Sequence, residues 1–198
     1  MKNSLELGLV GNCNIGALID KRGEIVWGCL PRFDGDPAFC SLLKEHSDGE
    51  GGGYFAIELL ELVSAEQFYL PNTAVLITRL TDRHGACIEI TDFVPRFLQF
   101  GRMFTPMMLI RRIKRISGTP RIRVRIRPEY EYGSYSCSMT YGSHHVRYIA
   151  PTWTVRVTTD ISVTAIVEEL PFFLETQATL ILGPDETIPD AVDELSRR

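Results

Sequence analysis

Pairs of carboxylates are the first residues in this chain with the chemistry to break a bond. Asp34/Asp36, Glu129/Glu131 and Glu168/Glu169 each place two acids within two positions of one another. Glycosidic hydrolysis needs one carboxyl as acid and a second as base or nucleophile, on opposite sides of a bound sugar. Neighbours in sequence do not by themselves span a substrate, so each pair reads as solvated surface, with Glu129 and Glu131 on the same face of a strand beside Tyr130 and Tyr132. Other chemistries find less support. His46, His84 and the pair His144–His145 share no ligand spacing with one another or with the cysteines, and adjacent strand residues point to opposite faces, so no metal site is expected. There is no Gly-x-Ser-x-Gly, Walker loop or Gly-x-Gly-x-x-Gly, so no catalytic serine elbow and no nucleotide cofactor are expected. Cys13, Cys29, Cys40, Cys87 and Cys137 are odd in number and lack Cys-x-x-Cys spacing. They read as reduced, buried, small apolar residues of a cytoplasmic protein.

One segment has a binding character. Trp27-Gly28-Cys29-Leu30-Pro31-Arg32-Phe33-Asp34-Gly35-Asp36-Pro37-Ala38-Phe39-Cys40 mixes aromatics, prolines and charges directly after a predicted strand. Two prolines fix the backbone. Arg32 and Asp34 are spaced to form a charge-assisted pair or to bind sugar hydroxyls, and Trp27, Phe33 and Phe39 offer flat apolar faces. Trp27, Arg32, Phe33 and Asp34 are therefore the candidate substrate-binding or domain-interface residues. No catalytic residue, metal ligand or cofactor is assigned. The basic residues are also unevenly placed: nine of the 21 Lys and Arg lie between Arg102 and Arg127, with no acid among them. A nucleic-acid surface would need aromatics interleaved for stacking. Their absence, and a net charge of −4, favour arginines that cover the outer face of a sheet and pair with acids. This run is a second, weaker docking candidate.

The elements that must position these residues are strands. Arg121 to Arg127 (Arg-Ile-Arg-Val-Arg-Ile-Arg) alternates without a break, as a half-buried strand does. Ala74–Leu80 and Ala86–Phe93 flank the turn Asp82–Gly85 and predict one hairpin. Met107–Ile116 and Arg121–Arg127, around Ser117-Gly118-Thr119-Pro120, predict a second that would hold all the clustered arginines. Further predicted strands are Ala17–Ile19, Ile25–Cys29, Tyr54–Leu60, His145–Ile149, Thr152–Thr158, Ser162–Val167 and Ala178–Leu182. Helix is predicted only at Ala38–Glu45 and over Ile188–Arg198. The result is an all-β chain, an antiparallel β-sandwich of about ten or more strands. A length of 198 residues suits one main domain, here residues 1–187, with 188–198 opening a linker helix. No apolar run reaches the roughly 18 residues of a membrane span, and no signal-peptide core is visible at the N-terminus.

The ordered set of short motifs has a likeness. Gly11-Asn12-Cys13, Gly16-Ala17-Leu18-Ile19, Gly23-Glu24-Ile25-Val26-Trp27 and Cys29-Leu30-Pro31-Arg32-Phe33-Asp34 resemble the N-terminal domain of bacterial glycoside hydrolase family 15 proteins, the glucoamylase- and trehalase-like enzymes. The likeness continues through Ile90–Arg96, Ile110–Arg112, Ser117-Gly118 and Arg127-Pro128-Glu129-Tyr130-Glu131-Tyr132-Gly133, and weakens after about residue 140. It implies a β-sandwich, then a linker helix and an α/α barrel bearing the two catalytic glutamates of an inverting α-glucoside hydrolysis. Those glutamates would lie outside this chain, and none of Glu129, Glu131, Glu168 or Glu169 inherits their roles. The expected partners are that barrel and its α-glucoside or oligosaccharide substrate, with neither nucleic acid nor membrane; the uncovered domain is expected to self-associate. Asn12 and Val26 stand where the family commonly carries acids, which argues against a polar role at either position. The alternative is a free-standing carbohydrate-binding module that stacks sugars on Trp27, Phe33 or Trp153.

Overall fold

The computed structural model describes residues 5–44 and 51–186. The alternation of the sequence becomes strands almost throughout. In chain order the first half holds β1 (Gly8–Gly11), β2 (Gly16–Ile19), β3 (Ile25–Cys29), β4 (Pro37–Phe39), β5 (Tyr54–Leu59), β6 (Leu62–Tyr69), β7 (Leu76–Asp82) and β8 (Cys87–Phe93). A separate hairpin, β9 (Phe97–Gln99) and β10 (Arg102–Phe104), follows. The second half holds β11 (Leu109–Ser117), β12 (Arg121–Arg127), β13 (Glu129–Tyr130), β14 (Tyr135–Ser136), β15 (Ser138–Tyr141), β16 (His145–Ile149), β17 (Thr154–Thr159), a short helix α1 (Val163–Val167), β18 (Phe172–Phe173) and β19 (Gln177–Pro184).

Among the described residues two sheets dominate. One runs β1-β2-β3-β5-β12-β18 with β4 attached to β3, and the other runs β15-β16-β17-β19-β11-β8-β7-β6. Ile19, Ile25, Phe55, Ile57, Ile122 and Val124 of the first sheet share one core with Leu80, Ile88, Ile90, Ile113, Val157 and Leu180 of the second. The chain is an all-β, sandwich-like antiparallel fold, as its periodicity predicts. Burial of this apolar layer, at about 25 cal/mol per Å2, is what holds the sheets together.

A polar staple crosses that layer. Arg111 and Asp92 face one another in the β11–β8 register and are both fully buried. Arg111 Nε donates to Asp92 Oδ1 at 2.8 Å and Nη2 to Oδ2 at 3.1 Å. The same guanidinium reaches the other sheet, donating to the Phe55 carbonyl at 2.9 Å and to the Gly23 carbonyl. Its carbon lies 4.7 Å from the Phe55 ring centroid. A buried charge survives only when paired and hydrogen-bonded, and here every contact meets that condition.

Several expectations need correction. The basic run does not form one hairpin: both edges of β11 are taken, by β8 and β19, so β12 crosses to the other sheet and pairs with β5. Nor do all its arginines cover an outer face, since Arg111 is in the core. The others on β12 behave as expected: Arg123 meets Glu58 at 2.8 Å, Arg125 meets Glu58 and Glu169, and Arg127 meets Glu169 at 2.7 Å. Ser162–Val167 is not a strand. Val163, Ala165 and Ile166 are buried on a single helical turn that lies against β12 and β16, so tertiary packing overrides β-branched propensity. The helix predicted from Ala38 is absent because Ala38, Phe39 and Cys40 are all buried; β4 and a 3-10 turn at Ser41–Leu43 replace it, and the Gly53 carbonyl accepts from the Cys40 and Ser41 amides. Cys13 is exposed, not buried, with φ 74 in the β1–β2 turn. The predicted helix over 188–198 lies outside the described residues.

Candidate functional site

Strand register gathers the distinctive loops at one end of the sandwich. Gly11 pairs with Gly16 and Gly16 with Cys29, so the β1–β2 turn and the loop after β3 share that end. Asn12 ties the segment around β9–β10 to them. It is buried, donates from Nδ2 to the carbonyls of Pro95 (2.8 Å) and Pro106 (2.9 Å), and accepts from the Asn14 amide at 3.1 Å. The expectation that position 12 has no polar role is therefore wrong: an amide supplies two donors there, which a carboxylate does not. Asn14 extends the tie, donating from Nδ2 to the Thr105 carbonyl at 2.6 Å.

The two most distinctive sequence motifs meet at this end. Residues 131–133 have positive φ in succession (52, 54 and 87°). That conformation turns adjacent amides toward one side, a cradle for an anion. Asp36 fills it, accepting from the Tyr132 amide at 3.0 Å and from the Glu131 amide. The loop after β3 is thus locked to the turn after β13. Arg32 and Asp34 form the anticipated fork, with Nε–Oδ1 2.9 Å and Nη2–Oδ2 2.8 Å, both side chains open to solvent. The bonds from Arg32 hold the Asp34 carboxyl below its ordinary range. Phe33 is 66% exposed, and its ring lies so close to Gly16 that a Cβ there would sit 3.3 Å from Phe33 Cε2.

The candidate residues do not all cluster. Arg32, Phe33 and Asp34 form one surface; Trp27 stands half-buried in mid-β3, opposite Leu18. Phe39 is in the core, as is Trp153, so neither presents a stacking face. The surface owes more to residues that sequence reasoning missed. The β9–β10 hairpin exposes Leu98 (70%), Phe100 (96%), Met103 and Phe104, and the turn beyond β13 exposes Tyr132 and Tyr135. Phe97 and Phe104 meet edge-on at 5.3 Å, and Tyr130 stacks on Tyr135 at 5.4 Å. The available signal was five large apolar residues around Gly101, on both faces of strands too short to be sheathed.

The carboxylate pairs do structural work. Glu129 is buried, contrary to the solvated reading, with Lys44 Nζ 2.5 Å from its Oε2. Glu131 does not share its face, because β13 ends at Tyr130. Burial alone would raise the Glu169 carboxyl, but Arg127 and Arg125 outweigh it and hold it low. Among the described residues no group of three or more His, Cys, Asp or Glu is arranged to hold a metal ion. The end is an exposed aromatic surface braced by the Asn12, Asn14 and Asp36 hydrogen bonds and the Arg32–Asp34 pair.

Comparison with known proteins places the chain in a family. Residues 4–162 match the family model described as trehalase-like, N-terminal. The chain belongs to the trehalase-like N-terminal family. Among similar proteins, the trehalase of Thermoplasma volcanium is 32% identical over 128 residues, 64% of this chain and 20% of that protein. The trehalase of Thermoplasma acidophilum is 30% identical over 119 residues, covering 59% and 19%. A Mycolicibacterium smegmatis trehalase is 26% identical over 151 residues, covering 69% and 22%. This trehalase-like N-terminal chain thus spans about a fifth of the length of those relatives. No solved structure matches it.

Proposed function

We propose that this chain is the non-catalytic N-terminal domain, residues 1–187, of a cytoplasmic family 15 α-glucoside hydrolase, and that its aromatic end packs against the catalytic barrel beside the active-site entrance. The observation that carries this reading is the cross-braced end bearing Phe33, Leu98, Phe100, Tyr132 and Tyr135. A monomeric surface rarely leaves so many large apolar groups together without a partner. Burying each aromatic ring gains about 1.5–3 kcal/mol, and the asparagine and aspartate ties mean that little order must be bought on docking. The similarity to trehalases of which the matched segments make up only about a fifth supports a catalytic partner within the same polypeptide. In that setting the barrel supplies the general acid and the water-activating base, and this domain supplies position. Without the partner, the same face brings two copies of the chain together at high concentration.

The test is made in the longer enzyme. Arg32→Ala and Phe33→Ser should lower kcat/KM on trehalose or maltose, or lower the thermal midpoint. Unchanged values of both in both variants would refute the placement of this end against the catalytic portion.

A further inference from the structure

A second feature lies between α1 and the β13–β14 hairpin, the hairpin that also carries Tyr135 of the aromatic end. A cavity of about 410 Å3 opens there, lined by Ile126 and Arg127 at the end of β12, by Glu129, Met139 and Tyr148, and by Glu169 just beyond α1. That volume lies within the range of small-ligand sites. Its polar groups converge from three directions. Glu129 comes from the core side, and its Oε2 is engaged by Lys44 and by the Cys40 thiol at 3.7 Å. The Gly51–Gly53 segment closes over the carboxylate: a Cβ at Gly52 would lie 2.6 Å from Glu129 Oε1. Glycine thus leaves that oxygen its space. Tyr148 projects from β16 with its ring in the core, and burial pushes its phenol above the ordinary range. Glu169 holds its place through a left-handed backbone, φ 51, and bonds from Arg125 and Arg127.

The charge count defines the ligand class. Glu129 is answered by Lys44 and Glu169 by Arg127, while Arg125, outside the lining, is shared between Glu169 and Glu58. A site whose charges are already matched favours neither cation nor anion. It offers a carboxylate oxygen as acceptor, a phenol and the Ser136 hydroxyl as donor or acceptor, and apolar walls from Ile126, Pro128 and Val167. Alternating hydroxyl and C–H surface is the complement of that lining. We propose that this cavity binds a neutral polyhydroxylated ligand of mono- or disaccharide size, with Glu129 and Tyr148 as its polar anchors. The cavity borders the aromatic end through the β13–β14 hairpin, but its lining includes none of Phe33, Leu98, Phe100, Tyr132 or Tyr135, and it does not depend on the docking reading.

The experiment is saturation-transfer NMR and calorimetry on the 198-residue chain with glucose, trehalose and maltose. The expected result is saturable binding of at least one sugar, with a Kd of about 1 mM, a typical value for so small a set of contacts. Tyr148→Phe removes one hydrogen bond and should weaken binding about fivefold. Met139→Trp fills the mouth from a half-exposed position, so folding survives, and should abolish binding. Phe33→Ser at the aromatic end should leave it unchanged. Should Tyr148→Phe fail to fold, Met139→Trp carries the test. No saturation by any of the three sugars overturns the proposal. So does binding that survives Met139→Trp, or binding lost in Phe33→Ser, which would assign it to the aromatic surface.

Discussion

Arg111→Met tests the staple between the sheets. The substitution keeps the length and apolar stem but removes a guanidinium that makes four hydrogen bonds. Asp92 is then a fully buried carboxyl with its counter-ion gone, and burial already pushes that carboxyl up against the pull of Arg111. Stranding one member of a buried pair costs about 3–5 kcal/mol. Against a total stability of about 5–15 kcal/mol this is a large fraction. At roughly 2–4 °C per kcal/mol for a chain of this size, a loss of about 4 kcal/mol lowers the thermal midpoint by roughly 8–16 °C. Urea unfolding of the single variant and of Asp92→Leu/Arg111→Met completes the measurement. The double variant removes both charges and should regain most of the loss, leaving about 1–2 kcal/mol for the unanswered carbonyls of Phe55 and Gly23. A single variant that loses under about 1 kcal/mol, or a double variant as unstable as the single, refutes the reasoning.

Three further outcomes follow from the same geometry. Burial, with Asp20 and Glu58 nearby, pushes the Glu24 carboxyl up to about 7 from 4.5, against Arg111 and Arg125. The native state holds that proton more tightly than the unfolded chain, so this group's stability is full below pH 4.5 and is lost as pH rises to 7. Glu24→Gln should raise unfolding free energy at pH 8 by at most roughly 3 kcal/mol and leave it unchanged at pH 4; an equal gain at both values contradicts the assignment. Asn12→Asp turns carboxylate oxygens toward the Pro95 and Pro106 carbonyls and should cost about 2–4 kcal/mol at pH 7, less where the acid is protonated. Asp36→Ala should cost about 1–2 kcal/mol and speed amide exchange at Glu131 and Tyr132, read by NMR, with Asp36→Asn intermediate.

Much of the fold was legible because period two is a local signal. Ile122, Val124 and Ile126 point inward while Arg123 and Arg125 point out to Glu58, as Arg121–Arg127 announces. Partner choice was not local. A turn at Gly118 reads the same whether the next strand folds back or crosses to the other sheet, and only the occupied edges of β11 decide. Arg111 looked like its neighbours in a basic run; nothing within ten residues says that it meets Asp92. At the site, Arg32 and Asp34 were readable because their pairing spans two residues. Asp36 was passed over because the amides it accepts from lie 95 and 96 positions away. The exposed β9–β10 hairpin was missed for the opposite reason: its apolar residues imitate a core, and exposure is a property of the whole fold.

The central claim is that the aromatic end is a docking surface for the catalytic portion of a longer protein. It is tested most directly by mixing the separately produced catalytic portion with this chain and measuring the mass and affinity of the product by light scattering and calorimetry. A one-to-one complex is predicted, weakened at least tenfold by Phe33→Ser/Phe100→Ser, a loss of about 1.4 kcal/mol or more from two rings returned to water. A complex of undiminished affinity with that variant, or no complex with the unaltered chain, would contradict the account.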